Sequence, residues 1–138
     1  MKDLTGYYNR KVDSLNRIRI PKIWLKEAPF HIVFGGDKVA QIISTKLLEN
    51  VCKKFDINLD MDVDSMEAIA SFTSSFYDLE VDAKGRVSLP IHFVERLEIK
   101  KEVVLIGKDD KIILISKERF DEGIDKLLDA ELYKFGRL

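Results

Sequence analysis

The 138-residue chain has a single cysteine, Cys52, two histidines, three prolines and one tryptophan. One thiol cannot close an internal disulfide, and with no CxxC pair there is neither a redox couple nor a zinc knuckle, so a reducing compartment, the cytoplasm, is expected. His31 and His92 stand far apart with no HxxxH or Cys neighbour, which predicts ordinary surface or packed histidines rather than a metal centre. No apolar run is long enough to span a bilayer, and Lys2, Asp3 and Arg10 break up the stretch a signal peptide would need. No membrane partner is expected. A nucleophile beside a base, a phosphate-cradling glycine loop and a spaced carboxylate pair are missing too. The chain therefore reads as no enzyme, with no cofactor and no small-molecule substrate. Asp60-Met61-Asp62-Val63-Asp64 alternates carboxylates as a calcium loop does. Ser65 stands where that loop needs glycine, and Ser71 where it needs a bidentate glutamate, which leaves an acidic loop or helix entry.

Net charge is nearly absent as well, at −1, which by itself argues against nucleic acid. The average conceals a strong polarity. From Asn9 to Lys22 five basic residues (Arg10, Lys11, Arg17, Arg19, Lys22) face only Asp13, for a local charge of +4. From Asp56 to Asp82 there are eight acids and no Lys or Arg. Local fields decide what a surface attracts. The apolar share of 46% is enough for one compact core or two small fused units.

The chain repeats itself. Residues 12–21, VDSLNRIRIP, match residues 81–90, VDAKGRVSLP, at an offset of 69. A proline at the first helical position is expected to open a helical stripe in each copy: Pro21, Trp24, Leu25 and Ala28 in one, Pro90, Phe93, Val94 and Leu97 in the other. Trp24 and Phe93 fall at equivalent positions and are read as core. HIVFG at 31–35 then matches VVLIG at 103–107 at an offset of 72, and Ser44 matches Ser116, which implies three residues inserted between helix and hairpin. Each copy reads as strand, turn, short strand, short helix, hairpin and closing helix. The second hairpin is expected over Glu102–Ile106 and Lys111–Ile115 with its turn at Gly107–Asp110, and each closing helix is N-capped by its serine. Leu48, Val51, Cys52 and Phe55 mark the apolar face of the first closing helix; Phe120, Ile124, Leu127 and Leu128 mark the second. Asp64 followed by Glu67 suggests a capping box for a connecting helix through Met66, Ile69 and Ala70. The expected organisation is a first repeat over 1–55, an acidic connector over 56–75 and a second repeat over 76–138. The halves should pack across a pseudo-twofold axis, since either alone would be marginal.

The second copy's turn, Asp82-Ala83-Lys84-Gly85-Arg86, carries the chemistry. An aspartate at the first position accepts hydrogen bonds from the N–H groups ahead, and Gly85 permits positive φ. The stiff turn should project Lys84 and Arg86 outward, Arg to grip phosphate or fork onto guanine and Lys as a mobile charge. The plain alternative is a solvated turn in which Arg86 merely pairs with Asp82. The duplication favours the functional reading.

The DxKGR turn followed by an apolar-x-apolar-Pro run, present twice, resembles the MraZ family of the AbrB-like superfamily, and so does KEVVLIGKDDKIILISKERFDE at 101–122. The similarity is strong from Tyr77 to Glu122 and weaker from Gly6 to Val51. The resemblance implies an α+β, mainly β fold of two pseudo-twofold-related, swapped-hairpin halves forming one barrel-like core with peripheral helices. It also implies a ring-shaped homo-oligomer that binds double-stranded DNA at short direct repeats upstream of cell-division and cell-wall genes. Repression and a nucleoid location are expected on the same ground. Asp82, Lys84, Gly85 and Arg86 fill the motif in the second half; in the first, Asp13 and Arg17 match, while Leu15 replaces the lysine and Asn16 the glycine. Asn tolerates the left-handed conformation, so the turn should survive. Arg19, on the strand face of Arg17, is expected to replace the missing charge. The DNA-binding candidates are thus Lys84, Arg86, Arg17, Arg19 and Asn16, with Asp82, Gly85 and Asp13 shaping the turns. The alternative is an AbrB-fold protein-interaction or antitoxin-like module that has lost part of its DNA binding.

Overall fold

The computed structural model describes residues 6–36, 38–57, 67, 70–71 and 74–127. In the first half, strand β1 (Tyr7–Lys11) and short strand β2 (Arg17–Arg19) lead into a 3₁₀ turn (Lys22–Glu27). A hairpin of β3 (Phe30–Phe34) and β4 (Val39–Ser44) follows, then helix α1 (Thr45–Ile57). The second half runs β5 (Tyr77–Leu79), β6 (Arg86–Ser88), α2 (Ile91–Arg96), β7 (Glu102–Lys108), β8 (Lys111–Ser116) and α3 (Lys117–Leu127). The expected order of elements therefore recurs. The acidic run Asp60–Asp64, with Ser65, Met66 and Ile69, lies outside the described residues, as do Leu128 and the side chains of Cys52, Phe55, Ile124 and Leu127.

Local chemistry sets the boundaries. Pro21 and Pro90 do not open their helices but precede them, with ψ of 134° and 141°. Their carbonyls accept the first helical N–H bonds, from Trp24 at 2.9 Å and Phe93 at 3.0 Å. Proline's fixed φ suits this extended cap as well as the first helical turn. Ser44 Oγ accepts the Leu47 N–H at 3.1 Å and Ser116 Oγ that of Arg119 at 3.2 Å, so both serines cap as their sequence positions suggest.

Six strands form one antiparallel sheet in the order β1-β7-β8-β4-β3-β5, and β2 pairs with β6 in a separate ribbon. Exchanging β1 with β5, β3 with β7 and β4 with β8 gives the same order from the other end. The first strand of each half leaves its own hairpin and pairs with the other's, β1 on β7 and β5 on β3.

The pairing corrects the sequence alignment. Phe30 faces Ser44 in one hairpin, and Val103 faces the corresponding Ser116 in the other, so β3 and β7 match at an offset of 73, not 72. The swapped pairs agree, since Tyr8 opposite Leu105 corresponds to Tyr77 opposite Ile32 at that same offset. Four residues, not three, are inserted between helix and hairpin in the second copy, and the second hairpin turn is one residue shorter. Gly107 lies within β7 rather than in the turn, which is Asp109-Asp110, with Asp109 at φ 55°. The Gly35–Gly107 match was a coincidence of residue type. The in–out alternation of a strand cannot tolerate a one-residue shift, which is why Phe30 and Ile32 face the same core as Val103 and Leu105.

That main core lies between the sheet and the ribbon. It joins Ile18, Ile20, Trp24, Phe30 and Ile32 of the first half to Val87, Leu89, Phe93, Leu97 and Leu105 of the second. Trp24 and Phe93 are 1% and 0% exposed, as core residues of a repeat should be. Each fully buried side chain of this size contributes roughly 1.5–3 kcal/mol. A smaller core of Val39, Val104, Ile113 and Ile115 packs with Phe120 of α3. Strand β4 is therefore buried throughout. His31 is a packed residue that ties elements together: Nδ1 lies 2.8 Å from Asp78 Oδ1 on β5, and Nε2 lies 2.7 Å from Thr45 Oγ1 at the start of α1.

Candidate nucleic-acid interface

Two turns with one backbone geometry stand at the ends of the ribbon. In the second, Asp82 Oδ1 accepts the N–H groups of Lys84 and Arg86, both at 2.9 Å, and Oδ2 accepts Arg86 Nε at 2.8 Å. In the first, Asp13 Oδ1 accepts the N–H groups of Leu15 and Arg17, both at 2.9 Å, and Oδ2 accepts Arg17 Nε at 2.7 Å. The main chain closes each loop in the same way, Gly85 N to Asp82 O and Asn16 N to Asp13 O, both at 3.0 Å. Gly85 has φ 78° and Asn16 φ 58°, so the asparagine does occupy the left-handed position. A second feature favours glycine at 85: a Cβ there would stand 3.0 Å from Leu25 Cδ1, a tight contact that the leucine side chain would have to relieve. The residue matching Leu25 in the second copy is Val94, a carbon shorter.

The turns also hold each other. Leu89 N donates to Asn16 O at 2.8 Å and Ile20 N to Gly85 O at 3.0 Å, flanking the β2–β6 pair. In that pair Arg17 faces Ser88, Ile18 faces Val87 and Arg19 faces Arg86. Ile18 and Val87 are fully buried, so by strand alternation Arg17, Arg19, Arg86 and Ser88 share the opposite face. A pseudo-twofold axis through Ile18–Val87 exchanges the two turns.

Both carboxylates sit below the usual carboxylate pKa. The largest cause is the backbone N–H of Arg17 for Asp13 and of Arg86 for Asp82, reinforced by the guanidinium side chains and opposed by partial desolvation. Asp82 and Arg86 do form the pair that the plain reading foresaw, but it engages only Nε. Nη1 and Nη2 make no hydrogen bond among the described residues, and 24% of the Arg86 side chain and 29% of Arg17 remain exposed. A surface pair of this kind is worth little for stability. It instead fixes the plane of the guanidinium, so less rotamer freedom is lost when Nη1 and Nη2 meet an acceptor.

Lys84 and Arg19 are exposed. Arg19 does not stand beside Leu15: the register sets it across from Arg86, so its charge joins the second turn's end. Arg10 comes there as well, donating Nε to the Arg19 carbonyl at 3.0 Å with its guanidinium 5.1 Å from the Tyr8 ring centroid. Sequence reasoning left Arg10 unassigned, and the only hint of its position was its place in the alternation of β1.

A family model described as "MraZ protein, putative antitoxin-like" matches residues 73–134. A protein of Mycoplasmopsis pulmonis named transcriptional regulator MraZ is 30% identical over 131 residues, covering 94% of this chain and 89% of that protein. The chain belongs to the MraZ family. A second MraZ protein of the same name, from Clostridium tetani, is also 30% identical over 131 residues, covering 91% of this chain and 90% of its own. MraZ similarity at this coverage includes both turns and the whole ribbon between them. The family-model match begins upstream of β5 and contains the second turn entire.

Proposed function

We propose that this chain is a transcriptional regulator that binds double-stranded DNA sequence-specifically through the face of the β2–β6 ribbon. The observation that carries the proposal is the pair of equivalent Asp-anchored turns, each directing an arginine whose Nη groups make no hydrogen bond among the described residues. A two-stranded ribbon fits the major groove, where a guanidinium can fork onto guanine O6 and N7. Arg86, Lys84, Arg17, Arg19 and the left-handed Asn16 form the contact set, and Asp82, Gly85 and Asp13 hold its shape. Homologous proteins named transcriptional regulators support this reading.

One ribbon on a chain of net charge −1 should bind weakly. In our reading the chain acts as a homo-oligomeric ring that engages short direct repeats with several ribbons together, gaining affinity by avidity, and represses cell-division and cell-wall genes at the nucleoid in the cytoplasm. A fluorescence-anisotropy titration of genomic fragments recovered by the protein tests it. Affinity should fall steeply with salt and drop at least tenfold in Arg86→Ala. Salt-insensitive capture of a protein partner, with no retention on DNA, would instead favour the antitoxin-like reading carried by the family description.

A further inference from the structure

The two ends of the ribbon share a backbone but differ in chemistry. At the second turn's end, exposed Lys84 and half-buried Arg86 meet Arg19 across the strand pair, and Arg10 is tethered to the Arg19 carbonyl. At the first turn's end, Arg17 faces neutral Ser88, and the tip residue is Leu15, 64% exposed, where the other turn carries Lys84. Asp78 and Glu80 line a cleft that also takes in Ser88, Asp82 and Arg86, so the segment around β5 brings acid, not further base, to the ribbon.

Leu15 is neither core nor loose. Its N–H is fixed by Asp13 Oδ1 at 2.9 Å, and its side chain is held out at the tip of a turn whose conformation matches that of the lysine turn. A leucine gains nothing from phosphate. Against a base edge in the major groove, the apolar group it can meet is the C5 methyl of thymine. The tips stand about six strand residues apart, roughly 20 Å at about 3.3 Å per residue, which spans about six base pairs.

Resting on the proposed docking of this ribbon in the major groove, we infer that its ends divide the work. Arg10, Arg19, Lys84 and Arg86 hold phosphates and guanine edges at one end, and Leu15 reads a thymine methyl group at the other. The cationic end then carries the salt dependence, and the leucine end carries methyl discrimination.

The test uses the full chain and a duplex that it selects from a random pool, prepared once with thymine and once with uracil at every thymine position. Wild type should bind the uracil duplex about fourfold more weakly, the weight of one methyl group withdrawn from water. Leu15→Ala should bind both duplexes alike with an unchanged salt slope. Lys84→Ala should lower that slope by about 1 and keep the thymine preference. Equal wild-type affinity for the two duplexes, or a Leu15→Ala chain that still tells them apart, overturns the division while DNA binding stands. A wild-type chain that enriches no sequence at all removes the DNA-binding reading itself, and this inference with it.

Discussion

The first and second turns are alike in every backbone hydrogen bond and unlike in the charges around them. Residues 9–22 carry a net +4 along the chain, while the matching residues 78–91 carry −1: Asp78, Leu79, Glu80, Ser88 and Ile91 stand where the first half has Asn9, Arg10, Lys11, Arg19 and Lys22, and only Lys84 in place of Leu15 goes the other way. Counted along the sequence, the first turn is the basic one. In space the antiparallel register carries Arg19 across to Arg86, and Arg10 follows it, so the second turn's end collects the guanidinium groups. Turn geometry is a local property set by one aspartate and one left-handed residue. The field at a turn is non-local and is set by whatever the partner strand brings alongside.

The largest expected effect tests that contrast directly. Arg86→Ala should weaken DNA binding by about 10- to 100-fold, the range for a guanidinium that contacts a base edge or phosphate. Arg17→Ala should cost several-fold less, because fewer cations surround it. Both substitutions strip the partner from one aspartate, so that shared penalty cancels in the comparison. Equal losses in parallel anisotropy titrations would show that the charge segregation has no energetic consequence.

A smaller effect concerns stability. Gly85→Ala meets two penalties at once, a side chain at φ 78° and a Cβ 3.0 Å from Leu25 Cδ1, and should cost about 1–2 kcal/mol in urea unfolding. Asn16→Ala, at φ 58° where a Cβ is already accommodated, should cost about 1 kcal/mol or less. Adding Leu25→Val to Gly85→Ala should recover part of the loss by withdrawing the Cδ1 that the new Cβ would meet. If Asn16→Ala proves the more costly, the tight contact at Leu25 is not what demands glycine.

Much of this was legible in the residues. Aspartate, a left-handed-tolerant residue and arginine at fixed spacing located both turns, serines located both closing helices, and Trp24 with Phe93 located the core. Each of these signals is local. The misses were long-range. Two glycines in similar hairpins drew the alignment one residue out of register, and only the pairing of β1 with β7 and of β5 with β3 exposes the slip. On sequence alone Arg19 goes with Arg17, because they share a strand face. Its cross-strand neighbour, Arg86, is 67 positions away and becomes visible only through the ribbon register. Arg10 went unassigned for the same reason.

The smallest expected effect lies in acid, where the two turns should behave alike. Both aspartates have folded-state pKa values depressed below the unfolded carboxylate value of about 3.9, chiefly by the backbone N–H groups of Arg17 and Arg86. A group depressed in this way contributes stability that is fully present above its unfolded pKa and is lost as pH falls through the lower folded value. The turns should therefore be unaffected between pH 7 and 5 and loosen only below about pH 4. Asp13→Asn and Asp82→Asn keep an acceptor for the N–H groups but remove the titration, so each should flatten the acid limb of a stability-against-pH curve to a similar, small extent, since both carboxylates are solvent-screened. Unequal flattening would mean that the surrounding charges, which differ between the turns, reach the aspartates after all. The separation between local geometry and non-local field would then fail at the residue that defines each turn.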